Sequence, residues 1–276
     1  MRTFEELKQI LIQIKNNDYS MPNGANIDYL ISDMLQFVGD IDSDLRESIY
    51  TTFDMWADRK ALSRDQLHHI LTTAIDDKHL FLGIGEDGTD TVFTRAFSSL
   101  LVCVAISTFK GESEIIGAAK DAALRYTSQE KDYRGYVENK GWAHAIAHAA
   151  DMMNNIVWNA EREDILQVLD AISGLVLNKN IVYTALEDER LASAVHGVIY
   201  SSICERKILT VDEICAWLNK IGKVTDAVKL PEDYNVKANR RNFIKSLYFS
   251  IYFNDDFDNY EEIRKQIFDT IFEALK

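Results

Sequence analysis

Proline and glycine are scarce in this chain, which has 2 prolines and 12 glycines among 276 residues. Proline interrupts helices and glycine supplies tight hairpin turns, so their scarcity favours long helices joined by few turns. No segment combines sustained alternation of apolar and polar residues with turn residues on both sides, as a half-buried strand would. These absences argue against a β architecture and predict an all-α protein.

Cysteine, basic charge and long apolar runs are also limited. The 3 cysteines, at positions 103, 204 and 215, include no C-x-x-C pair, which indicates reduced core thiols in a cytoplasmic protein. The net charge of -14 would repel a phosphate backbone, so we expect no nucleic-acid partner. The most apolar run, 97–109, is shorter than the ~20 residues of a membrane span, and the acidic N-terminus does not resemble a signal peptide. We therefore expect a cytoplasmic protein without a membrane partner.

Apolar residues recur at helical spacing along almost the whole chain and predict twelve helices. Two of these helices begin with a capping box, Thr3 with Glu6 and Ser63 with Gln66, in which side chains satisfy free N–H groups of the first turn. The predicted helices are 3–16, 26–39, 44–58, 63–76, 90–109, 113–126, 141–158, 161–177, 188–204, 210–222, 236–254 and 260–275.

Several motifs occur twice in the chain, at an offset near 147 residues. A constant offset across separate segments indicates an internal duplication. The paired motifs are Ile49-Tyr50 with Ile199-Tyr200, Asp58-Arg59-Lys60 with Glu205-Arg206-Lys207, Ser63 with Thr210, and Arg95-Ala-Phe97 with Arg241-Asn-Phe243. We therefore predict one domain, 1–276, with pseudo-repeat halves of about 1–138 and 139–276. Its predicted architecture is an internally duplicated α-solenoid, a HEAT-like superhelix of about six helical pairs.

Two long loops, 77–90 and 127–140, connect successive helical pairs. If the helices alternate between two layers, all such connections lie along one edge of the superhelix, so we expect these two loops side by side. The residues predicted to bind a ligand there are His79, Arg95, Asp132, Arg134, Tyr136, Glu138, Lys140 and Trp142.

The helix expected at 141–158 carries two histidines and an aspartate among small residues. His144, His148 and Asp151 are spaced i, i+4 and i+7, so they project from one face. The alanines between them would let other helices approach closely, which predicts a central position for this helix. These three residues are the candidate catalytic residues and the candidate metal ligands.

Three interpretations of this face are open. Two histidines one turn apart are suited to a divalent metal such as Zn, Fe or Mn, with a carboxylate as third ligand. However, the helical rise places the Cα atoms of His144 and Asp151 about 10 Å apart, so one ion would need further ligands from elsewhere. The zinc-protease pattern H-E-x-x-H is also absent, because Ala145 occupies the position of its general base.

The second interpretation is a hydrogen-bonded polar core in which the histidines donate to Asp151, Asn155 or a loop carbonyl. The third is a pocket for a small anionic ligand. Arg95, Arg134, Lys140 and the free N–H groups of a helix starting at Gly141 would attract a carboxylate or phosphate. Tyr136 and Trp142 would form its walls.

The same segments carry a family resemblance. The motifs are His79-Leu-Phe-Leu-Gly-Ile-Gly-Glu86, Asp90-Thr-Val-Phe-Thr-Arg95-Ala-Phe97-Ser98, and Arg134-Gly-Tyr136 through Gly141-Trp142-Ala-His144-Ala-Ile-Ala-His148 to Asp151. With these motifs the chain resembles the bacterial domain-of-unknown-function family numbered 2785. The resemblance implies a mainly helical bacterial protein and supplies no chemistry.

Two classes of function follow from this reading. The first and preferred class is a binding module that presents a concave surface and a polar edge pocket, around 134–151, to a peptide, a protein or a small anionic ligand. The alternative is an enzyme, metal-assisted and hydrolase-like, that uses His144, His148 and Asp151. Helical-repeat folds serve both roles, so the predicted fold does not decide between them.

Overall fold

The structure is a computed structural model that describes residues 2–222, 229–257 and 259–275. It is 69% helical with twelve α-helices and almost no sheet, which confirms the all-α prediction. The helices are α1 (Phe4–Asn16), α2 (Ile27–Gln36), α3 (Ser43–Asp58), α4 (Arg64–Ala74), α5 (Thr91–Ile106), α6 (Ser113–Gln129), α7 (Ala145–Val157), α8 (Arg162–Val176), α9 (Glu187–Val198), α10 (Val211–Gly222), α11 (Glu232–Tyr252) and α12 (Glu261–Leu275). A π-helix, Ile199–Glu205, continues α9, and two short strands, β1 (Tyr136–Val137) and β2 (Gly141–Trp142), pair between α6 and α7.

The helix starts follow from local sequence. Both predicted capping boxes are present, with the Thr3 side chain accepting from the Glu6 N–H and the Ser63 side chain accepting from the Gln66 N–H. Each cap replaces hydrogen bonds that the first turn of a helix cannot make internally. Local chemistry therefore fixes where α1 and α4 begin.

The odd-numbered helices pack against one another in chain order. α1 contacts α3, α3 contacts α5, α5 contacts α7, α7 contacts α9 and α9 contacts α11. Among the even-numbered helices, α2 contacts α4, α6 contacts α8 and α10 contacts α12. We call α1, α3, α5, α7, α9 and α11 the odd-helix row.

Helix α7 lies at the centre of this arrangement, as its small residues predicted. It packs against α5, α6, α8 and α9, and its alanines are buried. The approach of α9 is close enough that a Cβ added to Gly197 would lie 2.1 Å from the Asn154 side chain of α7. Small residues on α7 and α9 therefore allow these two helices to pack closely in the middle of the row.

One helical stretch within the described ranges, Thr91–Phe109, is long and apolar enough to cross a membrane, and 78% of its most apolar window is buried inside the protein. It comprises α5 and the 3₁₀ turn Ser107–Phe109. The apolar run at 97–109 thus contributes to the core.

Candidate functional site

The two long loops lie side by side, which confirms the prediction made from their place in the chain. Three polar contacts join them: the Gly88 N–H donates to Asp132 Oδ2 at 3.1 Å, Arg134 Nη2 donates to the Thr89 carbonyl at 2.6 Å, and Lys140 Nζ pairs with Asp90 Oδ1 at 2.7 Å. The polar and charged side chains of the two loops therefore serve, at least in part, to hold one loop against the other.

Each of the three cations predicted to attract an anion already has a carboxylate partner. Arg95 forms a bidentate pair with Glu130, with N–O distances of 2.7 and 2.9 Å, and both side chains are 0% exposed. Arg134 pairs with Asp132 at 2.6 Å, and Lys140 with Asp90. Because these charges are neutralised within the protein, they offer little free positive charge to a ligand.

The segment before α7 differs from the prediction. We expected a helix from Gly141, but Gly141 and Trp142 form a strand that pairs with Tyr136 and Val137, and the helix begins at Ala145. Gly141 has a φ of 80° and His144 a φ of 53°, so the backbone is left-handed at both ends of this strand. The free N–H groups expected from a helix starting at Gly141 are therefore absent, and this part of the predicted anion pocket is wrong.

A buried arginine that the sequence analysis missed holds this hairpin in place. Arg46 of α3 is 0% exposed and donates to the carbonyls of Lys140 at 2.8 Å and Trp142 at 3.2 Å. Its guanidinium carbon also lies 4.3 and 4.7 Å from the ring centroids of Phe93 and Phe97. Burial lowers the pKa of the guanidinium, against the opposing effect of nearby carboxylates. The sequence signal that could have identified Arg46 is its place between core positions of an amphipathic helix.

We expect Arg46→Met to release the hairpin while the helices remain folded. The Ala143 and His144 N–H groups donate to the Gly135 and Arg134 carbonyls, so their exchange with solvent reports on the hairpin. Hydrogen–deuterium exchange of these amides should accelerate by about tenfold or more, because the carbonyl contacts that hold the second strand are lost. Arg59→Met is the matched control, since this arginine lies just after the far end of α3 and contacts Asp18. Equal protection in both variants would contradict this role for Arg46.

His148 is buried between α5 and its own helix, 9% exposed. Its ring packs edge-on to Phe97 at a centroid distance of 5.4 Å and to His144 at 5.8 Å. Burial first and the neighbouring His144 second lower the pKa of His148 to about 3, against a hydrogen bond to the Ala96 backbone. Its Nδ1 atom has no partner within the described part of the chain. A neutral imidazole with so low a pKa is a weak general base near neutral pH.

His144 and Asp151 have different neighbours. The His144 ring stacks on Trp142 at 4.2 Å, and burial lowers its pKa against a hydrogen bond to the Ala185 backbone. Both carboxylate oxygens of Asp151 accept from Nη1 of Arg190 in α9, each at 2.9 Å, while burial raises the pKa of Asp151. The three candidate catalytic residues therefore do not form a hydrogen-bonded triad, and the predicted donation from the histidines to Asp151 does not appear among the described contacts.

Among the residues that the structure describes, no group of three His, Cys, Asp or Glu side chains could hold a metal ion. His144 and His148 supply two imidazoles, one buried nitrogen of each being unpartnered, while Asp151 is engaged by Arg190. A zinc, iron or manganese site on these residues remains a prediction that would require a further ligand.

The remaining predicted residues, His79, Tyr136 and Glu138, have different surroundings. His79 contacts Asp76 at 2.8 Å and the Leu35 carbonyl at 3.3 Å, so its described partners lie outside the second loop. Tyr136 is 62% exposed and packs edge-on to Trp142, and Glu138 is exposed in the hairpin turn. The hairpin therefore presents two aromatic side chains to solvent.

A cavity of about 510 Å³ lies beside the second loop, where α6 and α8 end. The second loop contributes Glu130, Lys131 and Tyr133 to its lining. The candidate catalytic residues are not among its described lining residues. The cavity is thus adjacent to the predicted polar pocket at 134–151 and distinct from it.

These observations define an all-α protein with a row of packed helices and a short hairpin that carries two exposed aromatic side chains. Over residues 80–249 the chain matches the family described as protein of unknown function (DUF2785). The match covers more than half of the chain, and the chain belongs to this family, as the motifs indicated. No curated protein and no solved structure gives a significant match.

Proposed function

We propose that this protein is a cytoplasmic interaction module, built as an internally duplicated α-solenoid, that binds a positively charged segment of a partner protein. The sequential contacts along the odd-helix row support the stacked architecture. The two predicted halves, about 1–138 and 139–276, also share local devices. Lys60 and Lys207, which are 147 residues apart, follow equivalent helices with φ angles of 55° and 56°.

Further matching contacts support the duplication. Arg59 donates to the Asp18 carbonyl just beyond α1, and Arg206 donates to the Ala160 carbonyl just beyond α7. Thr210 accepts from the Glu213 N–H as Ser63 does from the Gln66 N–H. Equivalent arginine and capping contacts at a nearly constant offset are expected if both halves derive from one repeat.

The surface proposed to bind the partner lies on the odd-helix row. Glu47, Tyr50 and Asp54 are spaced i, i+3 and i+7 along α3, so they lie on one face of that helix. Burial raises the pKa of the Tyr50 hydroxyl most, Asp54, Cys103 and Asp151 raise it further, and Arg190 opposes them. Since Asp151 is paired with Arg190, we call Glu47, Tyr50 and Asp54 the acidic face.

The observation that carries the proposal is that two carboxylates on this face, Glu47 and Asp54, have no ion-pair partner among the described residues. Glu47 and Asp54 are exposed, yet loss of hydration raises the pKa of each, and Asp58 adds to the shift of Asp54. An exposed carboxylate loses hydration when protein surrounds it on several sides, as in a concave surface. Such groups gain most from a cationic partner, because the partner replaces the missing hydration with direct pairing.

A cationic partner fits better than the small anionic ligand predicted earlier. The basic residues of the loops are already paired, whereas the acidic face holds carboxylates that are costly to keep ionised without a partner. The exposed Trp142 and Tyr136 rings, whose hairpin Arg46 fastens to α3, would add favourable contacts to lysine or arginine side chains. The enzyme alternative has less support, since Asp151 pairs with Arg190 and the low pKa of His148 disfavours base catalysis.

The proposal is tested with a fluorescent decalysine peptide and two charge-matched variants. Glu47→Gln/Asp54→Asn should weaken binding by about fivefold or more at low salt, because two poorly hydrated carboxylates are removed. Glu114→Gln/Glu163→Gln removes the same charge from exposed positions on α6 and α8 and should change binding by less than about twofold. Equal losses in the two variants would show that only the net charge attracts the peptide, and the proposed face would then be wrong.

A further inference from the structure

The last two helices carry a connected group of aromatic side chains on their outer surface. Two of the rings, Tyr248 and Phe268, are half-buried with centroids 4.6 Å apart and form its base. The exposed members are Phe249 at 53%, Tyr252 at 54%, Phe253 at 74% and Phe272 at 52%. We call these six residues the aromatic patch. Connected apolar surface of this kind is uncommon on monomers and marks sites of association.

Successive ring contacts make the patch continuous. Tyr248 contacts Phe249, Tyr252 and Phe272, with centroid distances between 5.4 and 5.8 Å, and Phe253 lies 5.1 Å from Tyr252. The patch therefore spans both α11 and α12. Aromatic residues of this kind are enriched at the apolar centre of protein interfaces.

The charges beside the patch are balanced. A cavity of about 680 Å³ between these helices is lined by Tyr252, Phe268 and Phe272 together with four charged residues, Glu261, Arg264, Lys265 and Asp269. Two acids and two bases give this rim no net charge, although the whole chain carries -14. A neutral rim does not select a strongly basic or a strongly acidic partner, and two copies of this acidic chain can meet there without repulsion between the rim charges.

The described neighbours of these helices do not cover the patch. α11 packs on α9 and α12, and α12 packs on α10. In the first half the corresponding helix, α5, is followed by α7, which packs directly against it. This correspondence depends on the proposed duplication, whereas the exposure of the patch does not. The uncovered surface is thus of the type that another pair of helices covers.

We propose that the aromatic patch binds the same patch of a second copy of this chain in a two-fold symmetric dimer. Lys265 and Asp269 lie one turn apart on α12 and pair within the helix at 2.8 Å. If two α12 helices meet antiparallel across a two-fold axis that passes midway between Lys265 and Asp269 on the outer face, Lys265 of each copy lies opposite Asp269 of the other. The charges of the surface then complement one another across the axis, and its aromatic rings face aromatic rings, as a closed two-fold dimer requires.

The first test measures the mass of the full chain in solution by sedimentation over a range of concentrations. We expect wild type to dimerise and Phe253→Asp to weaken self-association by about tenfold or more, because the most exposed ring of the patch is replaced by a charge. Tyr29→Asp is the matched control, since Tyr29 is 69% exposed on α2, far along the chain from the patch. A wild type that stays monomeric up to about 100 µM would overturn the proposal, as would a dimer that Phe253→Asp leaves intact.

The second test uses charge reversal to establish the symmetry. Lys265→Asp alone and Asp269→Lys alone place like charges opposite each other across the two-fold axis, so each should dimerise about tenfold or more weakly than wild type. An equimolar mixture should form a heterodimer, because the two variants are complementary. Failure of the mixture to associate, with both variants folded by circular dichroism, would overturn the antiparallel pairing.

Salt separates this contact from binding at the acidic face. Added salt screens the repulsion between two chains of -14 each, so dimerisation should strengthen or stay constant. Binding of decalysine to the acidic face should weaken under the same conditions. Loss of the dimer at high salt would contradict an interface with an aromatic centre.

Discussion

Glu130→Gln is expected to lower the free energy of unfolding by about 3 to 5 kcal/mol, because it leaves the Arg95 guanidinium buried without its counter-charge. Both side chains are 0% exposed and are joined by two hydrogen bonds. Glu130 Oε1 also accepts from the N–H groups of Lys131 and Asp132, so the carboxylate fixes the start of the second loop as well. The loss is measured by urea denaturation, with the slope of the transition checked for two-state behaviour.

The repeat supplies the control for this experiment. Arg241 matches Arg95 in the sequence and donates to the Leu275 carbonyl at 3.3 Å in α12, so Arg241→Met should cost about 1 kcal/mol. A double change, Arg95→Met with Glu130→Met, should cost less than the sum of its single changes, since no buried charge is then left unpaired. If Glu130→Gln costs no more than Arg241→Met, the buried pair does not have the role assigned to it.

Acidification is expected to destabilise this protein through His148 well before most carboxylates are protonated. The pKa of His148 is about 3 in the folded protein, because burial and the neighbouring His144 oppose the charged form, and about 6.5 in an unfolded chain. Between these two pH values, His148 therefore binds a proton in the unfolded state and not in the folded state. The stabilising contribution is complete above pH about 6.5 and is lost as the pH falls from there towards about 3.

The size of this effect follows from the gap between the two pKa values. Between neutral pH and pH 5, protonation of His148 in the unfolded chain lowers the free energy of unfolding by about 2 kcal/mol. The loss is about 1.4 kcal/mol for each pH unit below 6.5. We expect His148→Gln to flatten the dependence of the free energy of unfolding on pH between 5 and 6.5. His69→Gln removes an exposed imidazole from α4 and should leave the wild-type slope unchanged. An unchanged slope in His148→Gln would show that another group controls acid unfolding.

The helices were predictable because their signals are local. The period of the apolar residues and the two capping boxes act within a few residues of one another, so they predict where α1 and α4 begin whatever surrounds them. The adjacency of the loops 77–90 and 127–140 could be inferred from the order of the helices along the chain. The family match over 80–249 agrees with the motifs read from the same segments.

The hairpin was missed because its cause is not local. Two strands of two residues are too short to show alternation, and the left-handed backbone of His144 has no sequence signal of its own. Helical spacing placed His144, His148 and Asp151 on one face, which suggested that they would act together. Asp151 instead pairs with Arg190 of the next odd-numbered helix, and the ring of His144 stacks on Trp142.

By itself the sequence determined an all-α chain of twelve helices, the central place of the alanine-rich α7 and the adjacency of the two long loops. The tertiary structure decided which charges remain free, because ion pairs and buried hydrogen bonds join residues far apart in the chain. Arg46 contacts the Lys140 carbonyl across 94 positions, and Arg95 meets Glu130 across 35. Arg134 likewise pairs with Asp132 and Lys140 with Asp90, so ion pairs neutralise the basic side chains of the second loop.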